Sequence, residues 1–210
     1  ILGNAEELEH APELTENSRK KAATVRKQSI KIKKLIEDLI EASKASTGNL
    51  AVHLEKLEAG VSVVQIVGEF EDKLNAADLT LLIQKPETPV YVMADGRHFW
   101  RVIDNLMNNI CKYAQPGTRV YVDLRENGGQ VELIFRNTSR YPLNISSEEL
   151  MERFVRGDES RNTEGSGLGI SIAKSLTELQ GGEFKLHLDG DLFKVMITFA
   201  TKNITKDTAE

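Results

Sequence analysis

The chain has 210 residues, 40% of them apolar and 28% charged, with a formal net charge of −5 and a single cysteine, Cys111. The negative charge argues against a general nucleic-acid binder, and one cysteine excludes an internal disulfide or a cysteine-based zinc cluster. No apolar run is long enough to cross a bilayer and no secretory leader is visible, so no membrane contact is expected of this piece.

The length suits one large domain, or a domain with an appendage. The sequence opens at Ile1 and enters mid-pattern at ILGNAEEL, which reads as a fragment of a longer protein. Residues 1–9 read as the tail of one helix and Pro12 as a turn. Residues 15–47 read as a second, long helix. Val25, Gln28, Ile32, Leu35, Leu39 and Ala42 recur every three or four residues, widened by Ile36 and Ile40. That is a heptad seam, and one helix cannot bury its own stripe, so a helical hairpin that dimerises is expected. The opposite face carries Lys20, Lys21, Lys27, Lys31, Lys33 and Lys34 and reads as a solvated face.

Ser46-Thr47-Gly48-Asn49 breaks the pattern. Leu50–Leu57 alternates like a strand, Val61–Leu74 has helical spacing, and Leu79–Ile83 and Val90–Met93 read as short strands. Asp95 is positioned to cap a helix that runs through Ala114. Val120–Leu124 and Val131–Phe135 flank Asn127-Gly128-Gly129, a hairpin signal. After a polar stretch, Gly167–Leu179 reads as a helix stopped by Gly181 and Gly182. Glu183–Leu188 and Leu192–Phe199 form a last hairpin, and the tail from Thr201 is polar. The whole reads as a helical hairpin followed by an α+β domain, a mixed sheet with helices on one face.

Two features carry chemistry. The first is DNLMNNICKYA, residues 104–114. On a helix, Phe99, Val102, Ile103, Leu106, Met107, Ile110 and Ala114 share one face, and Arg101, Asn105, Asn108, Asn109 and Lys112 share the other. Asparagine costs a helix roughly 0.6 kcal/mol relative to alanine, so three of them call for a reason. Amide oxygens suit a hard cation such as Mg²⁺, and a neighbouring lysine suits a phosphate. The alternative is that the amides cap loops or bond to one another. The second feature is GSGLG, residues 165–169, opening the helix ISIAKSLTEL. Glycines there allow backbone N–H groups to approach an anion at a helix N-terminus. The spacing is neither G-x-G-x-x-G nor G-x-x-x-x-G-K-[ST], so neither a dinucleotide fold nor a P-loop is indicated. The apolar-free GDESRNTE before it, 157–164, is a candidate lid.

These motifs in this order resemble one family. NLMNNICKY is similar to the N box of sensor histidine kinases, ERFVRGD to their F box and GSGLG to their second glycine box. KLIEDLIEASKAS resembles the second helix of their dimerisation and phosphotransfer hairpin. The resemblance implies a two-layer α/β sandwich of the histidine kinase and gyrase ATPase type, preceded by an antiparallel helical hairpin. It divides the chain into a partial hairpin (1–47), a catalytic ATP-binding domain (48–203) and a polar tail (204–210). The implied cofactors are ATP and Mg²⁺. Asn109, assisted by Asn105, would hold the metal between the phosphates. Lys112 would meet a phosphate and Tyr113 would pack on adenine or ribose. Phe154 would anchor the lid and Arg156 would reach the γ-phosphate. Gly165, Gly167, Leu168 and Gly169 would form the phosphate loop. Asn109, Lys112 and Arg156 are the candidate catalytic residues. The implied partners are a second copy, through the hairpin, and a response regulator. The implied location is the cytoplasmic side of a membrane-anchored bacterial protein.

Two departures stand out. Where the family commonly carries D-x-G-x-G after the second hairpin strand, this chain has FRNTSRYPL. Asn137 replaces an aspartate that reads the adenine amino group, and no glycine follows. A neutral acceptor makes a bond roughly half as strong as a charged one. The second departure is that His10, His53, His98 and His187 all lack an H-E-x-[KR]-T-P context. They read as structural or exposed, so the acceptor histidine is expected upstream. Related ATPases that hydrolyse ATP carry a glutamate at the position of Asn105, whose amide cannot activate water well. A nucleotide-binding scaffold of the same fold, catalytically weak, is the alternative. An anti-sigma kinase of the same superfold fits the long helix less well. Cys111 reads as a small filler and Trp100 as packed at the helix edge.

Overall fold

The computed structural model describes residues 15–47, 50–152 and 167–201. The first helix of the expected hairpin, with His10 and Pro12, lies outside them. Helix α1 (Glu16–Ser46) is a single run as long as its heptad spacing predicts. Asp38 and Ala42, one turn apart on the same side, are buried, as is Ala22 nearer the start. Most of the apolar seam is bare: Val25, Ile32, Ile36, Leu39 and Ile40 are 42–56% exposed.

The next segment differs from the sequence reading in two ways. The strand expected over 50–57 is confined to β1 (Glu55–Glu58). Residues 51–54 instead cross the start of a later helix: the His53 N–H donates to Asp95 at 3.0 Å, and His98 Nε2 donates to the Ala51 carbonyl at 3.1 Å. Those bonds replace a ladder, so His53 lies in an irregular, exposed segment rather than a strand. The helix expected over 61–74 is two helices, α2 (Ala59–Gly68) and α3 (Glu71–Ala76), separated at Glu69-Phe70. The apolar spacing runs on across the break because Phe70 and Leu74 are both buried. Glu58 caps α2 by accepting from the N–H groups of Gly60 and Val61.

The remaining strands are β2 (Leu79–Gln84), β3 (Tyr91–Ala94), β4 (Thr118–Asn127), β5 (Gln130–Thr138), β6 (Glu183–Asp189) and β7 (Leu192–Ala200). A five-stranded sheet has the order β2-β4-β5-β7-β6, with β2 and β4 parallel and the other pairs antiparallel. β1 and β3 form a separate antiparallel pair. Alternation along the strands sends Val120, Val122, Leu133, Phe135, Val195 and Ile197 to one buried face. Against it lie α4 (Gly96–Tyr113) and α6 (Gly169–Leu179). α5 (Ser147–Met151) is a short helix within the stretch that reads as merely polar. Ser146 and Glu149 form a reciprocal capping box there.

α4 is the central element. Ile103, Leu106, Met107 and Ile110 are fully buried, and Phe99 meets Phe199 with ring centroids 6.2 Å apart. Trp100 lies at the edge, its indole donating to Glu69 at 3.3 Å. The cap is Asp95, itself buried, which accepts from the N–H groups of Arg97 at 3.0 Å, His98 at 3.3 Å and His53. Its own N–H donates to Gln180 Oε1 at 3.0 Å, at the end of α6. α6 stops at Gly181, whose φ of 78° suits glycine. Gly182 follows, where a Cβ would lie 2.7 Å from the Phe199 ring.

Burial alone would raise the Asp95 pKa, but the His53 N–H, the Arg97 guanidinium and the His98 N–H outweigh it and hold the carboxyl well below its ordinary 3.8. A folded-state pKa below the unfolded one gives stability that is present above about pH 4 and fades as the pH falls further. Asp95→Ala is therefore expected to cost about 1–2 kcal/mol in urea unfolding near neutral pH. The gap to the wild type should narrow at about pH 3. An equal gap at both pH values would show that the carboxylate charge is not what holds this junction.

Candidate functional site

The polar face of α4 borders a cleft of about 1380 Å³. α4 supplies Asn105, Asn109, Lys112 and Tyr113. The start of α6 supplies Gly167 and Gly169, the end of β5 supplies Asn137, and α1 closes one side. The amphipathic split read from the sequence thus points its amides into a space rather than into bulk water.

The individual side chains divide the polar stripe. Asn109 is half-buried and makes no side-chain hydrogen bond among the described residues. Asn105 donates through Nδ2 to the Arg101 carbonyl at 2.8 Å, which fixes its oxygen on the other side. Asn108 follows the plainer reading: its Nδ2 donates to Asp104 and its oxygen accepts from Lys73 at 3.0 Å. Lys112 is folded back on its neighbour, its ammonium donating to the Tyr113 hydroxyl at 2.7 Å. Arg101, grouped by the helical projection with the amides, is committed elsewhere. It pairs with Asp38, with Glu41 at 3.0 Å and with Asp104 at 3.3 Å, joining α4 to α1. Burial opposes the Arg101 charge, but Glu41, Asp38 and Asp104 together raise its pKa. Nothing in the local sequence signals that junction, because Asp38 and Glu41 look like ordinary exposed residues of a charged helix.

The glycine segment has two roles. Leu168 is the N-cap of α6 and offers no side-chain cap, so the first-turn N–H groups are not answered by a capping side chain. Gly167 has φ 70°, the left-handed region. Gly169 serves packing as well: a Cβ there would lie 3.4 Å from Asn105 Oδ1. The asparagine helix and the glycine helix are therefore in close contact. Phe154, Arg156 and Gly165, with the candidate lid at 157–164, lie outside the described residues.

Asn137 is buried at the end of β5, donating from Nδ2 to the Thr138 carbonyl at 3.1 Å. Its Oδ1 is buried and has no partner among the described residues. An unanswered buried acceptor costs about 1–3 kcal/mol, so a ligand donor at the cleft wall would relieve it. The donor set suits a nucleotide: an acceptor at one end, amide oxygens and an ammonium along α4, and open N–H groups on α6. No cluster of three or more His, Cys, Asp or Glu occurs among the described residues. A divalent ion held by the amides would therefore need phosphate oxygens to complete its shell.

The other candidates stay outside the site. His53 and His187 are exposed, and His98 is buried under Ala51. Burial pushes the Cys111 thiol pKa up, with Lys73 opposing, so the residue is a poor nucleophile and packs against the core. No helix among the described residues is long and apolar enough to cross a membrane.

Known proteins resemble this chain in sequence and in fold. A family model described as Histidine kinase-, DNA gyrase B-, and HSP90-like ATPase matches residues 94–202. The chain is 27% identical over 183 residues to the sensor protein DivL of Caulobacter vibrioides, covering 87% of this chain and 23% of DivL. It is 23% identical over 185 residues to the sensor histidine kinase YcbM of Bacillus subtilis, covering 87% of this chain and 60% of YcbM. It thus spans less than two thirds of either relative. Among solved structures, the Acinetobacter baumannii histidine kinase AdeS has a TM-score of 0.72 at 20% identity, covering 97% of this chain and 94% of that one. Full-length ShkA in complex with AMPPNP has a TM-score of 0.79 at 20% identity, covering 96% and 42%. These likenesses carry the expected fold, an α+β sandwich of the histidine kinase ATPase type with a helical N-terminal part. The chain belongs to the Histidine kinase-, DNA gyrase B-, and HSP90-like ATPase family, in its sensor histidine kinase branch.

Proposed function

We propose that residues 48–203 are the catalytic ATP-binding domain of a sensor histidine kinase. The domain passes the γ-phosphoryl of Mg·ATP to a histidine upstream of this chain, and from there to a response regulator. Residues 1–47 are then part of the dimerisation hairpin and 204–210 a polar tail. The observation that carries this is the convergence on one cleft of the Asn105 and Asn109 amides, Lys112, the uncapped start of α6 and the unpartnered Asn137 oxygen.

Bound Mg·ATP supplies the phosphoryl group and the metal that neutralises its charge. The chain supplies position. Asn109 and Asn105 would hold the ion through their oxygens, and Lys112, now bonded to the Tyr113 hydroxyl, would be the cation available to a phosphate. The α6 N–H groups orient the phosphate chain. Neutral imidazole is nucleophilic enough to need no strong base, and the amide at 105 does not activate water. Phe154 and Arg156 keep the lid and γ-phosphate roles that the resemblance implies. The bare seam of α1 supports a homodimer through the hairpin. The response-regulator step is supported by a solved histidine kinase, ThkA, in complex with the response regulator TrrA (TM-score 0.66, 12% identity). The resemblance to sensor histidine kinases further implies a cytoplasmic site of action within a membrane-anchored parent.

Labelled ATP tests the reading. The chain alone should bind ATP yet gain no label on His10, His53, His98 or His187. A longer protein carrying the preceding helix should gain acid-labile phosphate. Asn109→Ala should remove the magnesium-dependent part of the affinity in titration calorimetry. Label on this chain alone, or magnesium-dependent binding that survives Asn109→Ala, would sink the assignment. A longer protein that binds ATP but gains no label would favour the scaffold alternative.

Asn137 gives a second expectation. Its Nδ2 is held by Thr138, so its oxygen is the group left to accept from the adenine amino group. Restoring a charge-assisted bond with Asn137→Asp should tighten ATP about fivefold in competition with a fluorescent analogue. It should not improve GTP, whose base presents an oxygen at that position. Unchanged ATP affinity would show that Asn137 does not read the base.

A further inference from the structure

The lysine face of α1 reads from the sequence as solvated, yet Lys27, Lys31 and Lys34 border the same cleft as Asn105, Asn109 and Lys112. The Arg101 junction sets their register. Asp38 on α1 meets Arg101 on α4. From that crossing, cleft-lining positions run down α1 to 27 and up α4 to 112. Lys34 lies about 6 Å along its axis from Asp38, as Asn105 does from Arg101. Lys27 and Lys112 each lie about 16 Å from the crossing. The lysine stripe and the amide stripe therefore both line the one cleft, leading away from the Arg101 junction.

Lys27 and Lys34 make no ion pair or side-chain hydrogen bond among the described residues, although Glu149 and Glu152 also border the cleft. Asp38 and Asp104 are both held by Arg101. Across the cleft, Glu149 is engaged by Ser146 in the α5 capping box. Lys73, on a third element, donates to Asn108. Gathering several ammonium groups around one cavity is unfavourable until a polyanion enters it.

We propose that α1 is the second wall of the nucleotide site, with Lys34 and Lys27 binding the polyphosphate chain from the side opposite Asn109 and Lys112. The inference rests on the nucleotide reading of the cleft and adds residues outside the catalytic domain to it. Nucleotide occupancy and docking of the domain on α1 then strengthen each other, because the coupling is reciprocal. A seated nucleotide holds the domain on α1, and its departure loosens it.

The test uses the full chain and titrates ATP, ADP and AMP against wild type, Lys27→Gln/Lys34→Gln, Lys27→Arg/Lys34→Arg and Asn109→Ala at low and high salt. The double glutamine variant should bind ATP about fivefold more weakly. It should lose less for ADP, nothing for AMP, and show a flatter salt dependence. The arginine variant should bind as the wild type does. The inference is overturned if the glutamine variant binds ATP like the wild type with the same salt dependence. If Asn109→Ala still loses affinity in that case, the nucleotide reading survives alone. An equal loss for ATP and AMP would assign α1 a structural role and also overturn it. A wild type that binds none of the three would remove both readings together.

Discussion

The molecule depends on how α4 is rotated. Ile103, Leu106, Met107 and Ile110 are fully buried. At about 2 kcal/mol for each large apolar side chain removed from water, that burial far exceeds the roughly 0.6 kcal/mol lost at each asparagine. The core therefore decides which way the helix faces, and the amides are carried to the cleft by default. Asp95 fixes the axial position: it ties the 51–53 segment to the first turn of α4, and its N–H meets Gln180 at the end of α6. Rotation and register are thus set by groups that make no contact with the cleft.

The second constraint is Arg101. One guanidinium satisfies two carboxylates of α1 and one of its own helix, with Asp38 largely out of water. Removing one member of such a cluster costs more than its contact is worth, because a desolvated charge is left behind. The junction adds a polar tie to a helix that packs chiefly against α6. Most of the α1 seam is bare, and its buried positions are few.

Periodicity made the larger elements legible. The long first helix, α4, α6, both hairpins and the mixed sheet follow from spacing and turn residues alone, and Asp95 announced its cap. Where the sequence misled, tertiary bonds had overruled a local pattern. The alternation over 50–57 looks like a strand, but its first residues spend their backbone groups on Asp95 and His98. The apolar spacing over 61–74 survives a break between two helices because Phe70 and Leu74 still reach the core. Asn105, Asn109, Lys112, Gly167 and Gly169, grouped by their motifs in the sequence, do border one cleft. The Arg101 junction was not legible, since it depends on residues 60 and 63 positions apart in sequence meeting in space. Asn108 reads like its neighbours and differs only because Asp104 and Lys73 happen to be within reach.

The narrow gap between Asn105 and Gly169 restricts what either position can become. The Asn105 oxygen stands 3.4 Å from where a side chain on Gly169 would begin, so the two are already in contact. A longer acid at 105, of the kind related hydrolysing ATPases carry, would have to find room against the first turn of α6. The seam between these helices thus transmits a change of size at either position to the other.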